Sequence, residues 1–339
     1  MSDALLSTLA EALAELVTAV ESCDDEVLDP DTAVTWLEST ASTLSGLPAA
    51  DRRALDGLFR AAALRHPEGR RRDEPLKVPE GFALTESVHA ATCEAALEQA
   101  TRFAAVVRDA DPATPVPTCP GWTLADLTRH LGTGHHWAEH LVRTRATARV
   151  LARDLPLDPP RDPAAYAGWL AAGAEAATAT LRAADPDTPL WSPGADPHAR
   201  YYPRHLLFET VVHLADAEIA LGGDAAPIAS GTAVDGIEHF LDDLPYIPCT
   251  AESLAHLGRD GDVLLLTARD TGTEWTLTLG GGGFARRRGR GDTEPTTSVE
   301  AEAGELLLLL HRRYAADDPR FVHSGDRDLL DAWLAATSL

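Results

Sequence analysis

Tyr201-Tyr202-Pro203-Arg204-His205-Leu206-Leu207-Phe208-Glu209-Thr210-Val211-Val212-His213-Leu214-Ala215-Asp216-Ala217-Glu218 reads as one buried helix. Pro203 suits a first helical turn, where its missing N–H leaves no bond unmade, and Gly222-Gly223 closes the pattern. Leu206, Leu207, Phe208, Val211, Val212 and Leu214 spread apolar surface around the helix, which places it inside a bundle. Set into that surface are Glu209 and His213, four residues apart and so one above the other on the same face. A buried carboxylate is costly unless something compensates it. A metal ion would do so, since carboxylate oxygen and neutral imidazole nitrogen are ordinary zinc donors, but two donors make half a site. For such a pair standing alone, a Glu–His hydrogen bond filling a polar gap is the simpler account.

A second stretch upstream changes that weighting. In Pro117-Thr118-Cys119-Pro120-Gly121-Trp122-Thr123-Leu124-Ala125-Asp126-Leu127-Thr128-Arg129-His130-Leu131-Gly132, Thr123 and Asp126 have the spacing of a capping box. The helix they start runs on through His135, His136, Trp137 and Leu141, with Leu124, Leu127, Leu131 and Trp137 on its packing face and His130 beside that face. A long helix over Ser87–Val107 precedes it, and an alanine-rich one over Pro163–Ala184 follows. With the helix of the opening stretch, these make a four-helix bundle.

Work outward from the bundle gives three domains: a helical extension over 1–84, the bundle over 85–228 and a small α+β domain over 229–339. In the extension, Leu5, Leu9, Leu13, Leu16 and Val20 form one amphipathic stripe, Asp29-Pro30-Asp31 introduces a second helix, and Leu47-Pro48-Ala49-Ala50-Asp51 opens a third. Arg70-Arg71-Arg72-Asp73-Glu74-Pro75 reads as a solvated linker. In the last domain Val263–Ala268 and Glu274–Leu279 flank Asp270-Thr271-Gly272 as a hairpin. A short strand at Thr297–Ala301, a helix over Gly304–Tyr314 and a last helix through Trp333 complete it. The expected fold class is therefore mainly α with a smaller α+β part.

A net charge of -24 argues against nucleic acid as a partner, because a polyanion needs a basic footprint. Cys23, Cys93, Cys119 and Cys249 show no CxxC or framework spacing and read as reduced thiols. Asp3 and Glu11 interrupt the first apolar residues, and Leu306–Leu310 is far too short to cross a bilayer, so a cytoplasmic protein with no membrane partner is expected.

The Pro120–Thr123 start with His130 downstream, the Glu209-x3-His213 pair followed by Asp216-Ala217, and the C-terminal Leu306–Arg313 with Gly325-Asp326 together resemble the mycothiol-dependent maleylpyruvate isomerase family. The resemblance covers about residues 87–339 and implies a DinB-like metal-binding four-helix bundle followed by the α+β domain. It implies that His130, Glu209 and His213 bind one divalent metal, zinc by expectation, with an open position for the thiolate of a low-molecular-weight thiol such as mycothiol. His2Glu with one position open is also the pattern of catalytic rather than structural zinc. The thiolate would isomerise an activated alkene or be transferred to an electrophilic small molecule. The alternative is a non-catalytic metal-binding or regulatory protein whose residues 1–84 engage a protein partner. Leu214-Ala215 stand where the family often has Arg-Trp, and Glu305 where it has aspartate, which points away from maleylpyruvate itself as substrate.

Among other candidates, Arg204 is taken as a substrate anchor, because its fork suits a carboxylate; a salt bridge at the helix N-terminus accounts for it equally well. His135 and His136 read as solvent-facing or supporting groups. Cys119 reads as a ligand, a nucleophile or, more simply, a small buried apolar residue beside Pro120. Gly280-Gly281-Gly282-Gly283 before Arg286-Arg287-Arg288 lacks the spacing of a phosphate loop and reads as a flexible hairpin loop.

Overall fold

The computed structural model describes residues 3–338 except 22, 24–26, 46, 48, 67, 68 and 83. Pro48, part of the expected start of the third helix, lies outside the described residues. Residues 1–91 and 92–339 are two compact units, the division falling within one helix.

The first unit holds α1 (Asp3–Glu21), α2 (Pro30–Ser45), α3 (Ala49–Leu64) and α4 (Arg70–Gly81). Its core is Ala10, Ala14 and Val17 of α1, Phe59 of α3, and Val78 with Phe82 at the end of α4. The arginine run at 70–72 is thus helical rather than a linker: Val78 and Pro79 bury the far end of the segment and hold its charged start in helical register.

The helix α5 (Leu84–Val107) leads into the second unit, where α6 (Leu124–Thr144), α7 (Tyr166–Ala183) and α8 (Tyr201–Ala220) follow. The expected capping box is present at the start of α6: the Thr123 hydroxyl accepts from the Asp126 N–H, and the Asp126 carboxylate accepts from the Thr123 N–H. Two glycines bring α6 and α7 together. A Cβ on Gly132 would lie 2.4 Å from the Trp169 ring, and one on Gly173 would lie 2.7 Å from His136 Nε2. Each helix thereby receives an aromatic ring of the other, and His136 stacks on Trp169 at 4.7 Å instead of facing solvent. His135 is buried too, with Thr210 of α8 at 3.4 Å.

Beyond α8 come α9 (Ser230–Asp243) and α10 (Pro248–Ala255), then β1 (Val263–Ala268), β2 (Thr273–Gly280), β3 (Gly283–Arg288), β4 (Thr297–Ala301), α11 (Ala303–Leu310), β5 (Val322–Gly325) and α12 (Arg327–Ala336). The sheet order is β3-β2-β1-β4-β5, antiparallel except for the parallel β1–β4 pair. With 57% of the chain helical and this one mixed sheet, the protein is mainly α with a smaller α+β part. The glycine-rich segment is a tight turn at Gly281 and Gly282, both at positive φ, and its arginines belong to β3. The packing does not break at 228–229: a Cβ on Gly236 of α9 would lie 3.1 Å from Leu307 of α11 and 3.2 Å from Phe208 of α8.

The helix α11 is four residues shorter at its C-terminal end than the sequence predicts, because it closes in a Schellman turn. Arg312 takes the left-handed conformation at φ 61°, its N–H donates to the Leu309 carbonyl, and the Arg313 N–H donates to the Leu308 carbonyl. That turn redirects the chain and delivers Arg313 to α8.

Candidate metal and thiol site

The helix α8 is largely apolar, and four of its polar residues fall at intervals of four: Tyr201, His205, Glu209 and His213 form one stripe. His130 of α6 faces the middle of it. His130 Nε2 lies 3.3 Å from Glu209 Oε2, and His213 Nε2 lies 3.6 Å from the same oxygen. One donor atom from each of the three lies within 4.8 Å of the others. The two distances to Glu209 are close to the edge of a tetrahedron with its centre ~2.0–2.1 Å from each donor, so these residues could hold a divalent ion.

The supporting groups fit as well. His213 Nδ1–H donates to Asp216 Oδ2 at 2.7 Å, which leaves Nε2 with its lone pair on the Glu209 side. A carboxylate behind a histidine in this way fixes the ring and raises its basicity. Asp216 is fully buried and is itself gripped from the C-terminal part of the chain: Arg313 Nε and Nη2 donate to its two oxygens, each at 2.9 Å. Burial pushes the Asp216 carboxyl up, but the hydrogen bonds from His213 and Arg313 outweigh it and hold the group well below the usual carboxylate range. Glu209 shows the same balance: burial raises it, while the His130 hydrogen bond with His205 and His213 nearby hold it well below that range. Both carboxylates are therefore ionised at neutral pH.

His130, Glu209 and His213 line a cavity of about 410 Å³, together with Thr118, Cys119, Trp122, His311 and Arg313. Trp122 walls one side, its ring 5.1 Å from His130 and 6.1 Å from His213. His311 Nδ1–H donates to the Leu307 carbonyl, which leaves Nε2 as an acceptor. Cys119 Sγ lies 3.4 Å from Asp216 Oδ2, and burial together with that carboxylate pushes its thiol up to about 11. Cys119 is thus a thiol that donates to Asp216. Glu209 is more open than the helix pattern predicts, its side chain 37% accessible and that of His130 44%. The donors sit at the mouth of the cavity, on its wall.

Arg204 is not on that wall. It donates to Asp235 Oδ1 at 3.1 Å, and its guanidinium stands 5.8 Å over the Phe208 ring. Five residues from Glu209, it points about 140° away around the helix. The arginine that does reach the cavity is Arg313, which sequence spacing could not connect to a helix about a hundred residues earlier. Asp216 carried a signal: a carboxylate three residues after His213, within reach of its Nδ1.

Residues 93–218 match the family model of the mycothiol maleylpyruvate isomerase N-terminal domain. That match takes in the helical bundle with His130, Glu209 and His213, and it supports a likeness of this part of the chain to that family. No curated protein matches. Among solved structures, a UbiJ-SCP2 ubiquinone synthesis protein is 18% identical, covering 33% of this chain and 93% of its own, with a TM-score of 0.26. The stereoselective inverting sec-alkylsulfatase Pisa1 from Pseudomonas sp. is 13% identical, covering 90% of this chain and 43% of its own, with a TM-score of 0.27. At such scores neither carries an argument about this chain. No helix among the described residues is long and apolar enough to cross a membrane.

Proposed function

We propose that the chain is an enzyme that holds a divalent metal, zinc by its donor set, on His130, Glu209 and His213, and uses a low-molecular-weight thiol of the mycothiol kind. The reaction is isomerisation of an activated alkene or transfer of the thiol to an electrophilic small molecule. The observation that supports it best is the convergence of three donors from α6 and α8 on one wall of an open cavity. Bound there, the metal would supply a Lewis acid that keeps a thiol ionised at neutral pH.

The chain's own residues have separate tasks. Asp216 orients His213 through Nδ1, so that Nε2 faces Glu209. Arg313 holds Asp216 and places the edge of its guanidinium on the cavity, where its remaining N–H groups suit a carboxylate on thiol or substrate. Trp122 supplies an apolar wall that keeps water from one side of the reacting sulfur. His311 donates Nδ1–H to the Leu307 carbonyl, and burial pushes its protonation down to about 4, so it lines the cavity as a neutral imidazole.

The test is metal content of protein purified without added metal, compared with His130→Ala and His213→Ala. The expected result is an ion lost in both variants, with a mycothiol-induced change in the visible spectrum of the cobalt-substituted chain. Metal content equal to the unsubstituted chain in both variants would overturn the proposal.

A further inference from the structure

The polar stripe of α8 does not stop at the cavity. One turn before Glu209 it continues as His205 and Tyr201, which meet His239 and Asp243, themselves four residues apart on α9. One nitrogen of His205, one of His239 and one Asp243 oxygen lie within 4.8 Å of one another. His239 and Asp243 are buried.

Two observations mark the cluster as built for an occupant. His239 Nε2 is buried and makes no hydrogen bond among the described residues. It stands 3.3 Å from Asp243 Oδ2, outside hydrogen-bonding alignment, with its side chain 9% accessible. Such a nitrogen is costly to bury unpaired. The carboxylate opposite is fixed from two sides: the Ala195 N–H donates to Oδ1 at 3.0 Å and the Tyr201 hydroxyl to Oδ2 at 2.8 Å. Since a carboxylate offers about four lone-pair positions, acceptor capacity remains. Gly194 makes room for the carboxylate itself, since a Cβ there would fall 2.1 Å from Oδ1.

We propose that His205, His239 and Asp243 form a second divalent-cation site, distinct from His130, Glu209 and His213. Two imidazoles and one carboxylate suit zinc or another first-row divalent ion, whereas calcium and magnesium take oxygen donors. The Tyr201 hydroxyl, 2.8 Å from Asp243 and 3.3 Å from His205 Nδ1, stands beside the site as a further oxygen. Charge permits the ion: the nearest arginine, Arg204, is neutralised by Asp235 at 3.1 Å. Of the three, His205 opens onto a second cavity of about 250 Å³, whose walls also include His135, Glu209 and His130. An ion here would tie the start of α8 to the end of α9.

The experiment titrates the metal-free full-length chain with cobalt(II) and counts ions per chain after desalting. His205→Gln and His239→Gln are each expected to bind one ion fewer than the unsubstituted chain. A chain carrying both His130→Ala and His213→Ala is expected to keep that ion, and cobalt is expected to raise its melting temperature. Uptake unchanged in both glutamine variants, or no ion and no thermal shift in the His130/His213 double variant, overturns the second site. Should the double variant bind as many ions as the unsubstituted chain while His239→Gln binds one fewer, the first triad fails and the second site stands.

Discussion

The two ends of the α8 stripe use the same residue types in opposite ways. Toward the C-terminus, Glu209, His213 and Asp216 are arranged around full charges: Asp216 is fully buried yet ionised because Arg313 grips both its oxygens. Toward the N-terminus, Asp243 is held by a backbone N–H and a phenol, with no arginine on it among the described residues. The first arrangement is complete without an added ion except at its open donors; the second leaves a buried nitrogen unpaired. A buried carboxylate can thus be satisfied by a partner built into the chain or left short of one.

The largest expected effect separates these ends. Asp216→Ala leaves the Arg313 guanidinium, 10% accessible, buried without its partner, and costs about 3–5 kcal/mol in denaturant unfolding. Asp243→Ala in the metal-free chain removes the two hydrogen bonds from the Ala195 N–H and the Tyr201 hydroxyl and costs about 1–3 kcal/mol. Equal losses would break the comparison, since they would mean that the second end also buries a full ion pair. The next effect is smaller. Gly194→Ala drives a methyl into the Asp243 carboxylate, and overpacking of this kind costs about 1–3 kcal/mol. In the same variant cobalt uptake should fall at the second site and stay unchanged at the first.

Much of this was legible in the chain. The four-residue spacing of Glu209 and His213 and the Thr123–Asp126 box rest on local helix geometry, so they survive folding unaltered. The same arithmetic read further would have reached His205 and Tyr201, and the pattern Ala233, Val234, Ile237, Phe240, Leu241 would have shown α9. What local rules could not supply is long-range. Arg313 reaches Asp216 only because α11 stops early, and the stop depends on a left-handed arginine where glycine is the usual signal. Likewise β3 reads as a loop because, as an edge strand, it exposes its arginines. His135 illustrates a different limit: its burial follows from the close approach of α6 to its neighbours, and a histidine letter does not say which way it faces.

That histidine makes a pH prediction. Burial, with His136 and His205 adding, pushes His135 down to about 3, so the folded chain keeps it neutral while the unfolded chain protonates it from about pH 6.5 downward. Between those limits the unfolded state binds more protons, and stability falls as pH falls. His135→Leu removes this contribution, and its melting temperature should decline less steeply between about pH 6.5 and 4 than that of the unsubstituted chain. Parallel curves would show that His135 is protonated in the fold.

The smallest expected effect concerns the two arginines. Arg204 and Asp235 form a partly exposed pair, and the guanidinium also covers Phe208, so Arg204→Ala should cost about 1 kcal/mol of stability. Because it stands off the cavity wall, its effect on KM for an anionic thiol or substrate should stay within about twofold, under 0.5 kcal/mol. Arg313→Lys keeps a positive charge beside Asp216 but loses the fork, and should raise KM by about tenfold, or 1.4 kcal/mol. A larger KM effect from Arg204→Ala than from Arg313→Lys would return the anchor to α8 and would mean that the two ends of the stripe serve one ligand. The distinction rests on the helix: five residues carry a side chain to the far side, and four keep it on the stripe.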